Sequence, residues 1–405
     1  MITTFYPPYS FGGDGIFVHR LSNELARRGY PVDVIHCKDA YRLMGGRPVG
    51  AYDEHPNVTV HGLHSPFGVL SPMATQQTGF PLFKAAAIRR ILAKGFDVIH
   101  YHNISLLGPK VLEYGTGIKL YTMHEYWLVC PTHVLFKFNR AACVKPSCFL
   151  CTLAYKRPPQ WWRYSGLLQA AAKHVDAFIA PSRFAEEKHR EMGLRARIAR
   201  LPHFVPEISA AKSAANETHD EPYFLYVGRL ERLKGIQTLI PIFRRYEKAR
   251  LLIAGSGTYA SELRQLAADS ENIRFLGHRS EQELGELYRK AVAVIVPSLG
   301  YETFLLAIAE ALKYGTPAVV RALGAVPEMI EETGAGFVYR TEAELLAAME
   351  ILVADPEKRR ALGNRGHEAY RRNWTVEVHL ARYFELIHEI AASKSPGREG
   401  LEWAP

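Results

Sequence analysis

The sequence lacks any apolar stretch long enough to cross a membrane. In its 405 residues there is no apolar run of the roughly 18 residues that a bilayer demands, and no charged-then-apolar leader follows Met1. The content of 48% hydrophobic and 22% charged residues is ordinary for a globular enzyme. These properties predict a cytoplasmic protein without a membrane span.

Nucleic-acid-binding motifs are missing as well. There is no zinc-finger spacing and no aromatic RNA-binding pattern, and the net charge of +9 is not gathered into one recognition helix. We therefore expect no nucleic-acid partner. An anionic small substrate or an anionic membrane surface would equally suit the positive charge.

Cysteine is scarce, with five residues in the chain, but four of the five are close together. Cys130, Cys143, Cys148 and Cys151 form a Cys-rich loop at 130–151. In a cytoplasmic chain such clustering favours a metal over disulfides, and four thiolates would form a closed structural zinc site. An iron–sulfur cluster, disulfides and chance clustering are the alternatives.

Short β-rich runs alternate with helical periodicity, which predicts an α/β fold with parallel sheets. The strands predicted in the first half are 2–5, 32–36, 97–101, 119–123 and 177–180, with a helix over 16–28. Those predicted in the second half are 223–227, 249–254, 273–276, 293–296 and 317–320.

This alternation is interrupted once, which predicts two Rossmann-like domains facing each other across a cleft. The predicted divisions are an N-terminal domain 1–205, a linker 206–221, a C-terminal domain 222–375, a helix 376–392 that returns to the first domain, and a tail 393–405. Ligands bind beyond the carboxyl ends of parallel strands, so the strand-end loops should line the cleft.

Two cations follow the first predicted strand of the second half. Arg229 comes directly after the strand, and Lys234 opens the next helix. Cations at a strand end and at a helix N-terminus suit a diphosphate, whereas a pair of solvated surface cations is the alternative.

Two carboxylates follow the fourth strand of that half. Glu302 is expected in the turn and Glu310 about two turns into a helix, roughly 12 Å further along its axis. Glu310 falls in an apolar stretch, so we expect it to have a polar partner. Glu302 could then meet sugar hydroxyls, Glu310 a ribose, and the amides of Thr303, Phe304 and Leu305 a phosphate, unless the carboxylates only form a solvated face.

In their combined order these segments resemble the family-4 retaining glycosyltransferases of GT-B fold. The resemblance implies sugar transfer from a nucleotide sugar, with retention of anomeric configuration and no catalytic cofactor or metal. The matching segments are Val227-Gly228-Arg229-Leu230, Lys234-Gly235, Ala254-Gly255-Ser256-Gly257, Phe275-Leu276-Gly277 and Gly315-Thr316-Pro317.

The resemblance also implies site residues in the first half. The turn Gly12-Gly13 would approach the donor phosphate, and His124 would contact the transferred sugar near the reacting carbon. His124 and Glu302 are thereby the implied catalytic residues, although a satisfied core histidine is the alternative for His124. The family usually has glycine where Leu305 stands.

The implied activity is that of a hexosyltransferase acting on a glycan or lipid-linked acceptor, as in the biosynthesis of cell-surface polysaccharide or glycoconjugates. Two alternatives come from other functional classes. One is a nucleotide-sugar epimerase, which shares the fold, and the other is a catalytically silent nucleotide-sugar-binding protein.

Aromatic and basic residues are mixed in two segments of the first half. The segment 155–164 contains Trp161 and Trp162, and the segment 81–94 predicts a basic amphipathic helix. Such residues favour lipid headgroups, so we expect docking on the inner face of an anionic membrane, with a packed aromatic cluster and solvated charges as the alternative. The cations of that helix are Lys84, Arg89, Arg90 and Lys94.

Overall fold

The computed structural model describes residues 1–46, 48, 50, 52–207 and 221–394. Its strands are β1 Val32–Cys37, β2 Val58–Leu63, β3 Val98–Tyr101, β4 Ile118–Thr122, β5 Phe136–Lys137, β6 Ala141–Ala142, β7 Ala177–Ala180, β8 Ile198–Arg200, β9 Tyr223–Val227, β10 Arg250–Ala254, β11 Ile273–Gly277, β12 Ala293–Val296, β13 Ala318–Arg321 and β14 Gly336–Tyr339. Most of the predicted linker and tail lies outside the described residues.

The helices alternate with these strands. They are α1 Gly13–Arg27, α2 Lys38–Leu43, α3 Leu70–Thr78, α4 Ala85–Leu92, α5 Cys148–Ala154, α6 Leu167–Ala172, α7 Arg183–Glu191, α8 Ile240–Phe243, α9 Ala260–Leu266, α10 Glu281–Lys290, α11 Leu306–Lys313, α12 Val326–Thr333, α13 Glu342–Ala354, α14 Pro356–Asn373 and α15 Val376–Lys394. Among the described helices, none combines the length and the apolarity needed to cross a membrane.

The sheet of the second half has the strand order β11-β10-β9-β12-β13-β14, with every pair parallel. Counted within this half, the order is 3-2-1-4-5-6, which is the Rossmann arrangement. All five strands predicted here are present, and β14 is additional. Because the order reverses between β9 and β12, the loops that follow these two strands flank a crevice.

The sheet of the first half is assembled around Ile2. This residue forms parallel bridges to Ile35 in β1 and to Tyr101 in β3, and so connects the pair β1-β2 to the four strands β3-β4-β7-β8. The strand predicted over 2–5 is thus in its expected place but reduced to a bridge. The chain turns immediately afterwards, where Tyr6 and Tyr9 exchange two backbone hydrogen bonds.

The predicted basic helix 81–94 is shorter than expected, and one of its four predicted surface cations is buried. A single 3₁₀ turn, Leu82–Lys84, precedes α4. The Lys84 side chain is buried, and its Nζ lies 2.9 Å from Asp39 Oδ2. Lys84 is therefore not the surface cation that the sequence predicted, because it neutralises a buried carboxylate.

The last helix, α15, packs on the first half although it follows the second half in sequence. Its residues Leu380, Tyr383 and Ile387 share one buried cluster with Phe17 and Leu21 of α1. This packing covers one face of the N-terminal sheet. The chain therefore passes between the two halves twice, once before β9 and once where α15 returns to the first half.

We predict that Leu380→Ala destabilises the protein. The side chain is 2% exposed, so its removal leaves a cavity in the cluster with α1, which costs about 2–5 kcal/mol. Urea unfolding followed by circular dichroism measures the loss. The control Glu385→Ala, at an exposed position of the same helix, should change stability by less than about 0.5 kcal/mol, and equal losses would contradict the packing assigned to α15.

Candidate active site

The loops after β9 and β12 meet through an ion pair. Lys234 Nζ lies 2.8 and 2.9 Å from the two carboxylate oxygens of Glu302, and Ser298 Oγ donates to Oε1 at 2.8 Å. Gly235 permits this approach, since its φ is 79° and an added Cβ would lie 2.0 Å from the Pro297 carbonyl oxygen. Two residues predicted from different motifs are therefore in direct contact.

The glycine turn of the first half lies against the second half. Gly12 caps α1, and a Cβ at Gly12 would lie 3.8 Å from the Arg229 side chain. A Cβ at Gly13 would lie 3.2 Å from Leu306. Arg229 remains 48% exposed, with Nη1 2.9 Å from Glu231. A cation and a helix N-terminus thus stand side by side at one edge of the crevice.

Glu310 has the polar partners expected for a carboxylate in an apolar helix. Tyr288 donates its hydroxyl to Glu310 at 3.0 Å. Arg20 of α1 lies 3.5 Å from the other oxygen and 3.0 Å from Glu281. The prediction of a polar partner is confirmed, and one of the partners comes from the opposite half of the molecule.

The helix that carries Glu310 begins later than predicted, at Leu306, so Glu310 lies about one turn in rather than two. The preceding carbonyls are used elsewhere. That of Glu302 accepts from the Tyr126 hydroxyl at 3.2 Å, and that of Thr303 accepts from Ser182 Oγ at 2.6 Å. Both oxygens therefore accept from side chains of the first half, and the segment before Leu306 is a turn and not part of α11.

Leu305 is compatible with this turn despite its departure from the usual glycine. It is the residue before α11, and its φ is −124°. Any L-amino acid adopts such an extended conformation without strain. The amides predicted to meet a phosphate, at 303–305, therefore lead directly into the N-terminus of α11, where helix amides have no intrahelical acceptor.

His124 lies in the middle of a row of three buried histidines. Its Nε2 is 2.9 Å from His102 Nδ1, and its Nδ1 is 3.1 Å from His203 Nε2. Burial lowers the pKa of His124 to about 3 and holds the pKa values of His102 and His203 well below the usual range. All three rings are neutral at pH 7, and His203 also packs against Phe304.

The two halves are held together at this row. Thr303 Oγ1 donates to the carbonyl of His124 at 2.7 Å, so the turn beside Glu302 is bonded directly to the loop that follows β4. Sequence reasoning did not find Arg20 or His203. Arg20 could have been found from helical spacing, because it lies seven residues after Gly13 and hence on the same face of α1 as the predicted glycine turn. His203 offered no such signal, since it lies in an irregular segment.

The four clustered cysteines line one recess beside β5 and β6. All four are free thiols, as is Cys37. Within the described ranges, however, no group of three or more His, Cys, Asp or Glu side chains is arranged to hold a metal ion. The four side chains predicted to bind zinc therefore line one recess without forming a metal-binding group in this structure.

Two Rossmann-like sheets with a crevice between them, lined by paired charges and helix N-termini, define a protein of GT-B fold. The family model for Glycosyltransferase Family 4 matches residues 11–207, and the model for Glycosyl transferases group 1 matches residues 208–369. Together the two models span residues 11–369, so the chain belongs to the glycosyltransferase family that they describe. It is a glycosyltransferase, an enzyme of the class that transfers sugar from nucleotide sugars.

Similar proteins cover almost the whole chain. Glycogen synthase of Mycobacterium tuberculosis (strain CDC 1551 / Oshkosh) is 28% identical over 94% of each chain. Sucrose-phosphate synthase from Thermosynechococcus elongatus has a TM-score of 0.75 at 22% identity, covering 97% of this chain and 98% of that one. Anabaena Alr3699/HepE in complex with UDP-glucose has a TM-score of 0.65 at 16% identity, covering 97% and 99%.

We predict that the histidine row makes the protein acid-labile. The unfolded chain binds protons at its histidines below about pH 6.5, whereas the folded His124 does so only near pH 3. Stability is therefore complete above pH 6.5 and falls by about 1.4 kcal/mol per pH unit for each such histidine as the pH drops towards 4. Unfolding free energies from urea titrations between pH 7 and pH 5 measure this slope.

The variant His124→Gln removes one of these protonation sites, so it should reduce the slope by about 1.4 kcal/mol per pH unit. The control His388→Gln, at an exposed position of α15, should leave it as in the parent protein. An identical slope in the parent and in His124→Gln would contradict a neutral, buried His124.

Proposed function

We propose that the protein transfers a hexose-type sugar, with retention of configuration, from a nucleoside diphosphate sugar to a glycan or lipid-linked acceptor. The observation that carries this proposal is the Lys234–Glu302 pair at the strand-order switch, with Arg229 and the Gly12-Gly13 turn beside it. The similarity to glycogen synthase and to the UDP-glucose complex supports a hexose donor and polysaccharide or glycoconjugate biosynthesis.

In this proposal the leaving diphosphate is stabilised by the protein's own positive groups. Arg229 and Lys234 supply full charges, and the N-termini of α1 and α11 supply amides and the positive ends of their dipoles. These groups are fixed before the reaction, so they stabilise charge as it develops on the leaving oxygen. No catalytic metal or cofactor is required in this arrangement.

The sugar and the ribose would be bound by exchange of existing contacts. When a phosphate attracts Lys234, a carboxylate oxygen of Glu302 becomes available for sugar hydroxyls. A ribose at Glu310 would replace the 3.5 Å contact with Arg20. Both ring nitrogens of His124 are occupied by other histidines, so a hydroxyl at the reacting sugar would replace one of these partners.

We propose that the acceptor binds on the first half, which faces the donor across the crevice. A lipid-linked acceptor would bring the protein to the inner face of a membrane. An epimerase would instead interconvert the nucleotide sugar without any acceptor. Chromatography of donor incubated with protein alone distinguishes them, since a transferase gives at most slow hydrolysis and an epimerase gives a second nucleotide sugar.

We predict that Arg229→Met and Glu310→Gln each weaken nucleoside diphosphate binding by about tenfold to a hundredfold, because each removes a charged hydrogen-bonding group. Isothermal titration with uridine, guanosine and adenosine diphosphates gives the Kd values and identifies the base. Lys234→Met should act in the same direction, but it also leaves Glu302 buried without its cation. Arg229 is half-exposed, so its variant separates binding from folding.

The matched control is Lys248→Met, an exposed lysine paired with Glu350 outside the crevice, which should keep the parent Kd. His124→Ala should bind the donor normally and lower kcat, because its role lies at the reacting sugar. Parent-like Kd values in the Arg229 and Glu310 variants would refute the donor site.

We also propose that Cys130, Cys143, Cys148 and Cys151, which are free thiols lining one recess, bind a structural zinc ion. We predict one zinc per chain in protein purified without chelator, measured by elemental analysis, and its loss in Cys143→Ser. Cys37→Ser, at the end of β1 and outside the recess, should keep the metal. Metal-free protein, or iron with sulfide in place of zinc, would contradict this proposal.

A further inference from the structure

Two helices of the first half carry apolar side chains on the outside and polar ones on the inside. In α5 the hydroxyl residue Thr152 is buried, whereas Leu150 is 60% exposed. In α3 Thr75 is buried, whereas Leu70 is 59% exposed. Helices at a water-facing surface show the reverse arrangement, with apolar residues towards the core.

These side chains belong to one surface, here named the apolar face and formed by residues 67–83 and 144–164. Of the 18 exposed large hydrophobic residues in the described part of the chain, 13 lie in these two segments. The segments are in contact, since the Trp162 indole donates to the Gln76 carbonyl at 2.8 Å. Exposed apolar surfaces of this extent mark interaction sites.

The stretches of sequence that contain the apolar face carry charge of one sign. The segments 55–96 and 126–175 contain 11 Lys and Arg and no Asp or Glu, while the rest of the chain has 39 basic and 41 acidic residues. Among these 11, Lys84 and Lys94 are paired with Asp39 and Asp33, and Arg163 lies over the rings of Trp127 and Trp162. The net positive charge of the protein is thus concentrated in the two stretches of sequence that contain the apolar face.

We infer that the apolar face docks on an anionic lipid bilayer. A bilayer offers negative headgroups above hydrocarbon, which matches exposed leucines surrounded by cations. Trp161 and Tyr164 are 61% and 64% exposed, and amphipathic rings of this kind favour the headgroup layer. A second copy of the chain would bring like charges together, and nucleic acid would leave the leucines without a partner.

The experiment is co-sedimentation with vesicles of phosphatidylglycerol and phosphatidylcholine at physiological salt. The protein should pellet with these vesicles and only weakly with phosphatidylcholine alone. Leu150→Ser should lower partitioning by about tenfold, and Lys145→Gln combined with Lys156→Gln should lower it by about 25-fold, since each cation contributes about fivefold.

Two matched controls lie in the other half. Leu266→Ser, at a leucine 45% exposed, and Lys248→Gln should both partition as the parent protein does. Equal effects of these controls, or no binding to anionic vesicles, would overturn the inference. So would self-association in sedimentation velocity that Leu150→Ser abolishes, because the face would then be an interface between copies.

Membrane docking is a separate property from the proposed donor chemistry, and the same variants distinguish the two. Arg229→Met should still pellet with anionic vesicles, and Leu150→Ser should still bind the nucleoside diphosphate with the parent Kd. If Leu150→Ser lost nucleotide binding through a folding defect, the Lys145→Gln and Lys156→Gln double variant would decide: unchanged partitioning with parent Kd in that variant would overturn the docking.

Discussion

The ion pair between Lys234 and Glu302 is the interaction on which the crevice depends. Its two members follow β9 and β12, which are neighbours only because the strand order of the sheet reverses between them. Burial of either charge alone would be costly, so the two loops are constrained to meet. The carbonyl of the same Glu302 accepts from Tyr126 of the first half. One residue therefore connects the charge balance of the site to the contact between the halves.

Closure of the crevice and binding of a donor use the same groups. Thr303 is bonded to the loop after β4 and Arg20 of α1 lies beside Glu310, so the two halves already contact each other where we propose that a diphosphate and a ribose bind. A ligand that enters must replace these contacts with its own. Binding of a donor would then shift the position of the two halves, because the donor contacts differ in free energy from the contacts between the halves that they replace.

Local patterns in the sequence were sufficient for most strands and for the main motif residues. The buried strands of the second half are continuous apolar runs, which is why all five were predicted. Strand β2 was missed because most of it is partly exposed, and β8 because it has only three residues. The contact of Arg20 with Glu310 spans 290 positions, and the backbone angle at Leu305 depends on hydrogen bonds from Tyr126 and Ser182 nearby. Neither follows from local pattern.

The Cys-rich loop brings the apolar face close to the crevice. Leu135 and Cys143 pack in one buried cluster with Tyr126, and Tyr301 packs against the same cluster next to Glu302. On the other side of the recess, α5 carries Cys151 inward and Leu150 outward. A bilayer under α5 would therefore lie on the opposite side of the Cys-rich loop from the Glu302 turn. In the proposed docking, the loop would connect the lipid surface with the donor site, so a zinc ion that fixes the loop would also fix the position of one relative to the other.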